Sequence, residues 1–556
     1  MSKKVPYVPG GYWSAGPRPS TSQRKSAPKR TAIAPSPRLP SPSSYQRAIF
    51  DFVVNGTGHG VVNATAGSGK TTTLVEVAHL LDPAKKAVFV AFNKSAAEQL
   101  KNRLPRHVKA QTIHSLGLAS LLHHLSGSTE RRGELVENKY QALCRSALTS
   151  SGLERALEST QLEFARALLR GLVDQLRNHL IDPGSEAGVD EVIRRHGLPE
   201  PRSEKVTKAV RALAWDVIDQ GVRMALQGVY DFTDMLYVPV RHGLPPRSAY
   251  DFLCVDEAQD LSPLQLAVVL RSVKDGGRLL FVGDRHQAIY GFTGADPASM
   301  ETIVAKTGAI ELPLSVSYRC PSSHVELARQ FSSDIEAAPG AVDGIIRTIR
   351  DDQFARDVKP GALVVCRTNA PIVAACLDLL AAGTPAMLIG SDLSKRLKEL
   401  AKAALSSGSV NGWEGALDRY FERRLQALAE SATSEGVIDV LSDEVECLKA
   451  IVRRSVNGGA RTVDDVLNAI DGLYSVRNGA VRLSTVHRAK GLEASNVYVL
   501  YPHLMPSSKA ATTEEYRAER CVQFVAVTRS KHELVFVEPS EEKGGQTESV
   551  SAWWPR

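Results

Sequence analysis

Residues 64–71 read Ala64-Thr65-Ala66-Gly67-Ser68-Gly69-Lys70-Thr71, between the apolar pair Val61-Val62 and an amphipathic stretch of helical period. Glycines free the backbone to turn its N–H groups inward around a phosphate. A helix start directly behind adds its positive end. Lys70 is placed to reach the β- and γ-phosphates, and Thr71 to hold Mg²⁺. Ala64 stands where the strict form of this loop has glycine, so the match is partial. The strand–loop–helix context predicts an ATP site from Ala64, Thr65, Ala66, Gly67, Ser68, Gly69, Lys70, Thr71 and Thr72.

Outward from that loop, short apolar runs recur among helical stretches. Val61-Val62, Ala87 to Val90, Phe252 to Val255 and Leu279 to Val282 form one set. Leu363 to Val365, Val481 to Leu483, Val497 to Leu500 and Leu534 to Val537 form a second. Continuous β-rich runs alternating with helical patterns indicate buried parallel strands, so two α/β units are expected. Residues 120–245 and 391–478 interrupt the two sets with helical patterning and are expected to be inserted subdomains.

The charge is unevenly spread. Residues 1–42 hold eight Lys or Arg, nine Pro and no acidic residue. Removing them from 68 basic residues leaves 60 against 61 acidic, so the net +7 belongs to this tail. Its composition cannot bury enough apolar surface to offset ordering, and a disordered basic tail is expected. The seven cysteines are scattered without a C-x-x-C pair, against a disulfide framework or zinc ribbon. No run of ~18 apolar residues suggests a membrane span, and no apolar leader is evident.

A second chemical signal follows the run Phe252-Leu253-Cys254-Val255. Asp256 at its end can bind the metal, and Glu257 can polarise an attacking water. A third stretch runs Gly283-Asp284-Arg285-His286-Gln287-Ala288-Ile289-Tyr290-Gly291-Phe292-Thr293. With Asp256-Glu257-Ala258-Gln259-Asp260 before it, the chain resembles the UvrD/Rep-type superfamily 1 DNA helicases. The resemblance spans roughly residues 43–540. It includes Phe92-Asn93-Lys94-Ser95, Thr112-Ile113-His114-Ser115, Tyr318-Arg319, Arg367-Thr368-Asn369, Thr485 through Glu493, and Phe524 through Arg529. Asp231-Phe232-Thr233-Asp234 is similar to the family's short acidic motif before Asp256. Some of the wording is similar to F-box DNA helicases and compact phage members.

The resemblance implies an α/β fold of two RecA-like P-loop domains with parallel sheets, each carrying a helical insertion. The boundaries it suggests are a tail at 1–42, a first domain at 43–119 and 246–305 with its insertion at 120–245, a second domain at 306–390 and 479–540 with a short insertion at 391–478, and a flexible end at 541–556. It implies catalytic roles for Lys70, Asp256, Glu257, Gln287, Arg319 and Arg529, with Mg²⁺ on Thr71 and Asp256. Gln46 would read adenine, although Pro42-Ser43 replaces the usual Leu-Asn ahead of it, and Glu493 would hold the ribose. DNA contacts would come from Phe92, Asn93, His114, Tyr290, Phe292, Arg367, Asn369, Thr485 and His487. Thr293 departs from the arginine that relatives often carry.

The expected activity is ATP-driven 3′-to-5′ movement on single-stranded DNA with unwinding of tailed duplex, by a monomer. The direction is what the resemblance implies: Gln287 leads into Ala288-Ile289-Tyr290, where the opposite branch typically has Leu-Pro-Pro. A translocase that strips proteins from DNA is the nearest alternative, and a non-enzymatic DNA-binding scaffold is the alternative of another class. RNA also remains open as substrate, since backbone tracking and stacking do not distinguish the sugars. A loading or accessory protein could use either terminal segment. The expected compartment is bacterial or phage-infected cytoplasm, or the nucleus in a eukaryote.

Overall fold

The structure is a computed structural model that describes residues 42–126, 133–289, 291, 298–406, 408–429, 435–476, 478–508, 510 and 512–540. The basic tail, Tyr290, Phe292, Thr293 and the end at 541–556 lie outside the described residues. Two six-stranded parallel sheets organise the rest. Across the first, the strands run Val108–Thr112, Ala87–Ala91, Tyr250–Asp256, Val273–Gly283, Gly60–Ala64 and Ile310–Leu314. Across the second they run Ile345–Arg350, Ser530–Glu538, Ala494–Leu500, Leu363–Cys366, Val481–Thr485 and Ala386–Leu388. All eight apolar runs picked from the sequence fall within these strands.

Helices cover both faces, as parallel sheets require. Alternate residues of a strand point to opposite faces, and the cores follow that rule. In the first sheet Leu253, Val255 and Phe281 pack with Leu168, Leu172 and Val217 of the first insertion. Cys254, Leu280 and Val62 face Ile49, Phe52 and Leu74 on the other side. In the second sheet Val364 and Cys366 pack with Leu397, Leu448 and Ile470 of the second insertion. Leu363 and Val365 turn to a core with Val522 and Phe524 that also takes in Ala66 and Ile289 from the first domain. The two domains thus share apolar packing beside the phosphate loop.

The insertions are helical. The first holds Lys139–Ser150, Ser159–Asn178, Glu186–His196 and Glu204–Leu226. The second holds Ser391–Ala404, Trp413–Ala429, Glu435–Asn457 and Val463–Leu473. Their starts are set locally: Thr462 and Asp465 form a reciprocal capping box at the last of these. Among the described residues no helix is long and apolar enough to cross a membrane.

One expected boundary needs correction. Ile310–Leu314 was placed with the second domain by a division at 305/306, but it pairs in parallel with Gly60–Ala64. The first sheet therefore extends to Leu314. As an edge strand it is only partly covered, with Ile310 53% exposed, and it carries Pro313, so it lacks a buried strand's continuous apolar run.

Candidate nucleotide site and single-strand groove

Every side chain expected at the nucleotide site in the first domain, except Gln46, sits at or just past the C-terminal end of a parallel strand. The phosphate loop follows Gly60–Ala64, Asp256 ends Tyr250–Asp256, and Gln287 comes just after Val273–Gly283. Ligands of open α/β sheets bind along this edge. The loop is shaped by two left-handed glycines, Gly67 at φ +74° and Gly69 at φ +78°, and the helix Lys70–Leu80 begins directly after them. The hydroxyls of Thr65 and Ser68 are buried and have no hydrogen-bond partner among the described residues. Unsatisfied buried polar atoms are costly, so a loop that aims two of them inward fits a phosphate ligand.

The charges are closely coupled. Lys70 Nζ donates to Glu257 Oε1 at 2.9 Å, and Gln259 Nε2 donates to Glu257 Oε2 at 2.6 Å. Burial alone would lower the Lys70 ammonium, but Glu257, Asp256 and Asp284 outweigh it and hold it above its ordinary value. Burial pushes Asp256 upward, and the adjacent Glu257 adds to that. Burial acts on Glu257 too, yet Lys70 and Lys490 overcome it and hold the carboxyl below its usual range. The pair is short of positive charge on the Asp256 side, which a divalent cation bound there would supply. Among the described residues no cluster of three His, Cys, Asp or Glu side chains makes a complete metal site. A Mg²⁺ held by Thr71 and Asp256 would take its other ligands from phosphate and water, as this ion commonly does.

The second domain brings two arginines to the same place. Arg529 is 1% exposed and donates to Val525 O at 2.9 Å, Thr528 Oγ1 at 2.9 Å and Gln287 Oε1 at 3.4 Å. Among the described residues no carboxylate pairs with it; burial and the neighbouring Arg319 push its pKa down. Arg319 Nε donates to Glu493 Oε2 at 2.7 Å, and Lys531 also pairs with Glu493. Gln287 in turn donates to the buried Asp284 at 2.6 Å. Lys490 crosses from the second domain to Asp260 at 2.6 Å and to the Gln287 carbonyl at 2.6 Å.

Gln46 is buried beside the loop. Its Oε1 accepts the Ser43 N–H at 3.0 Å in a capping box, and Nε2 donates to Thr73 Oγ1 at 3.0 Å. One amide hydrogen and one lone pair of Oε1 remain for an adenine contact. Tyr318 stands 52% exposed, and its N–H donates to the Gly67 carbonyl at 2.9 Å.

The expected nucleic-acid residues divide into two groups. Phe92, Asn93 and His114 line one groove of about 630 Å³, together with Lys101 and Phe232. Phe92 is 39% and Phe232 48% exposed, and Phe232 meets His114 edge-on with centroids 6.2 Å apart. Arg367, Asn369, Thr485 and His487 lie on the second domain, where Cys366 pairs with Thr485 across neighbouring strands. Arg367 forks onto Glu519, its shortest contact 2.6 Å, and Asn369 Nδ2 donates to Asp443 at 2.7 Å. Both are therefore engaged within the protein. Burial first, and Arg367 second, push the His487 imidazole down to about 4, so it is neutral at physiological pH.

Asp260, Asp284, Lys490, Tyr318 and Phe232 were not singled out from the sequence. Each lay inside a stretch quoted above, but apart from Asp284 with Gln287 their partners are distant in sequence, and only folding brings them together.

Gly67 offers a test of the loop. A Cβ there would lie 2.5 Å from Arg319 Cβ and 2.8 Å from Ser317 Oγ. Gly58 also has positive φ, +75°, but nothing lies within 4 Å of its Cβ position. Gly58→Ala should cost only the left-handed penalty, ~1–2 kcal/mol. Gly67→Ala should cost more and also displace Arg319, lowering Tm further and removing most ATP turnover. Equal losses in Tm and turnover for the two variants would refute the close approach.

Residues 46–307 match the UvrD/REP helicase N-terminal domain, and residues 461–540 match the UvrD-like helicase C-terminal domain. F-box DNA helicase protein 1 of Schizosaccharomyces pombe is 23% identical over 525 residues, covering 89% of this chain and 57% of the relative. The ATP-dependent DNA helicase UvrD2 of Mycobacterium tuberculosis is 25% identical over 581 residues, covering 90% of this chain and 79% of the relative. DNA helicase IV of Escherichia coli is 25% identical over 321 residues, covering 52% and 46%. The chain thus spans little more than half the length of the F-box relative. The first match contains the phosphate loop, Asp256 and Gln287, the second contains Glu493 and Arg529, and the chain belongs to the UvrD/Rep-like superfamily 1 helicases.

Proposed function

We propose that the chain is an ATP-driven motor that moves 3′ to 5′ on single-stranded DNA and unwinds tailed duplex, working as a monomer. One observation carries this reading above the others: Arg529, buried and without a carboxylate partner among the described residues, reaches Gln287 of the opposite domain. A buried guanidinium with only neutral acceptors is poised for an anion arriving from across the cleft.

In the proposed reaction, water attacks the γ-phosphorus and the bond from γ-phosphorus to the bridging oxygen breaks. Glu257 accepts the proton. It is held by Lys70 before nucleotide arrives; phosphate oxygens compete for Lys70 and release Glu257 toward the water. Arg319 and Arg529 neutralise charge on the transferring group. Thr71 and Asp256 would hold Mg²⁺, which would supply positive charge against the phosphates and the leaving group. Gln287 touches Arg529 and, through its backbone, Lys490 of the segment that also holds Thr485 and His487. Phosphate occupancy would thereby bear on the strand groove.

The second reading, a translocase that strips proteins with little unwinding, uses the same residues. Steady-state ATPase with and without single-stranded DNA, followed by strand displacement on 3′- and 5′-tailed duplexes, tests both. Stimulated turnover with opening of the 3′-tailed duplex is expected. Stimulation without opening would favour the stripping motor, and absent hydrolysis would leave a DNA-binding scaffold.

A further inference from the structure

Between the first insertion and the strand groove lies a closed group of charges that the nucleotide chemistry does not use. Arg177, from the helix Ser159–Asn178, and Asp234 are both 0% exposed. Arg177 Nη1 donates to Asp231 Oδ2 at 3.1 Å and to Asp234 Oδ1 at 3.3 Å. Its guanidinium lies 3.6 Å from the ring centre of Tyr140, whose hydroxyl donates to Asp234 Oδ1 at 2.8 Å. Lys139 pairs with Asp234 and donates to the Gly221 carbonyl at 2.8 Å. Two helices of the insertion thus grip one turn, Asp231-Phe232-Thr233-Asp234, and a third anchors Lys139.

That turn is closed on itself. The Asp231 N–H donates to Asp234 Oδ2 at 3.0 Å, and the Asp234 N–H donates to Asp231 Oδ1 at 2.7 Å. Phe232 stands between them, exposed in the groove beside His114. The helix that carries His114, Ile113–Ser126, comes so close that a Cβ on Gly117 would lie 2.2 Å from the Met235 carbonyl oxygen. A shift at Asp234 therefore moves both aromatic rings of this wall.

Buried ion pairs seldom improve on a well-packed apolar set of the same volume, because desolvation rivals their attraction. Apolar side chains could join these helices equally well. They could not fix the direction of a turn through six directed hydrogen bonds. We propose that Lys139 and Arg177 are positioning residues for the single-strand groove, holding Phe232 and His114 at the geometry that receives a nucleobase. The proposal rests on the function proposed above.

The test is a double-mutant cycle read by binding of a fluorescent oligothymidylate to the full chain. Phe232→Ala should weaken binding about tenfold, within the range for loss of one stacking ring. Arg177→Lys keeps the charge but loses the planar fork and should weaken binding several-fold. It should leave DNA-free ATPase and the KM for ATP unchanged. The double variant should lose less than the product of the two single losses, since Arg177 acts in large part through that ring. If Arg177→Lys does not fold, Asp231→Asn completes the same cycle from the rim of the cluster.

Losses that multiply, or an Arg177→Lys variant with lowered Tm and unchanged affinity, would overturn the positioning role alone. Wild-type protein that fails to bind the oligonucleotide would overturn the functional reading and this proposal with it.

Discussion

Lys70→Ala is expected to bring ATP hydrolysis to background, a loss of at least ~10²–10³ in turnover for one oriented cationic donor. The ammonium has two duties at this site. Toward the ligand, it is the loop's own cation, next to the unpartnered hydroxyls of Thr65 and Ser68. Toward the protein, it is the first counter-charge of Glu257, at 2.9 Å, and lowers that carboxyl against the pull of burial. Without it, Asp256 and Glu257 face each other with less compensation, so one of them is driven to take a proton. A protonated Glu257 cannot accept the proton of the attacking water. The variant is therefore damaged in phosphate binding and in the supply of a deprotonated base together, and raising the ATP concentration should not restore it. Coupled ATPase measurements across ATP concentrations check this. Substantial DNA-stimulated turnover in the variant would overturn the nucleotide assignment.

The sequence was most informative where a signal is local and periodic. Eight buried strands were visible because parallel strands covered on both faces must be continuous apolar runs. Four more were not. Val108–Thr112 reads Val-Lys-Ala-Gln-Thr, Ile345–Arg350 alternates with Arg and Thr, Ala386–Leu388 is three residues long, and Ile310–Leu314 contains a proline. All four are sheet edges, where one side faces away from the core and the apolar signal thins. The missed edge strand at Ile310–Leu314 is what displaced the domain boundary.

The site divides in the same way. The phosphate loop and the Asp256-Glu257 pair could be argued from residue chemistry, because their spacing is fixed within one strand–loop unit. Arg319, Arg529 and Glu493 carry no local signal of their own and came from the family resemblance. Lys490 bonding to Asp260, Arg367 to Glu519, and Arg177 to Asp231 join residues 230, 152 and 54 positions apart. No periodicity encodes such pairs. The helical insertion also read as a separate body in sequence, whereas in the fold it grips the turn that borders the groove.

Arg529→Ala should lower turnover by ~10³–10⁵ while leaving ATP affinity within a few-fold of wild type, the behaviour of a residue that acts on transition-state charge. The geometry supports a selective effect. Arg529 does not hold a carboxylate that its removal would strand; it donates to backbone carbonyls, to Thr528 and to Gln287. The ground-state contacts of the loop, Lys70 with Glu257 and the left-handed glycines, all lie in the other domain and remain. Truncation does open a cavity at a fully enclosed position, with Phe524 and Val527 buried in the helix just before it, so Tm is expected to fall as well. Arg529→Lys separates the two effects: it restores most of the volume and the charge but cannot reproduce the guanidinium fork, and turnover should remain far below wild type while Tm largely recovers. Nucleotide binding, single-turnover hydrolysis and thermal melting on both variants provide the check. If affinity and rate fall by the same factor, Arg529 binds the ground state. If Arg529→Lys recovers rate along with Tm, a charge at this position is sufficient and the directed guanidinium geometry is not part of the chemistry.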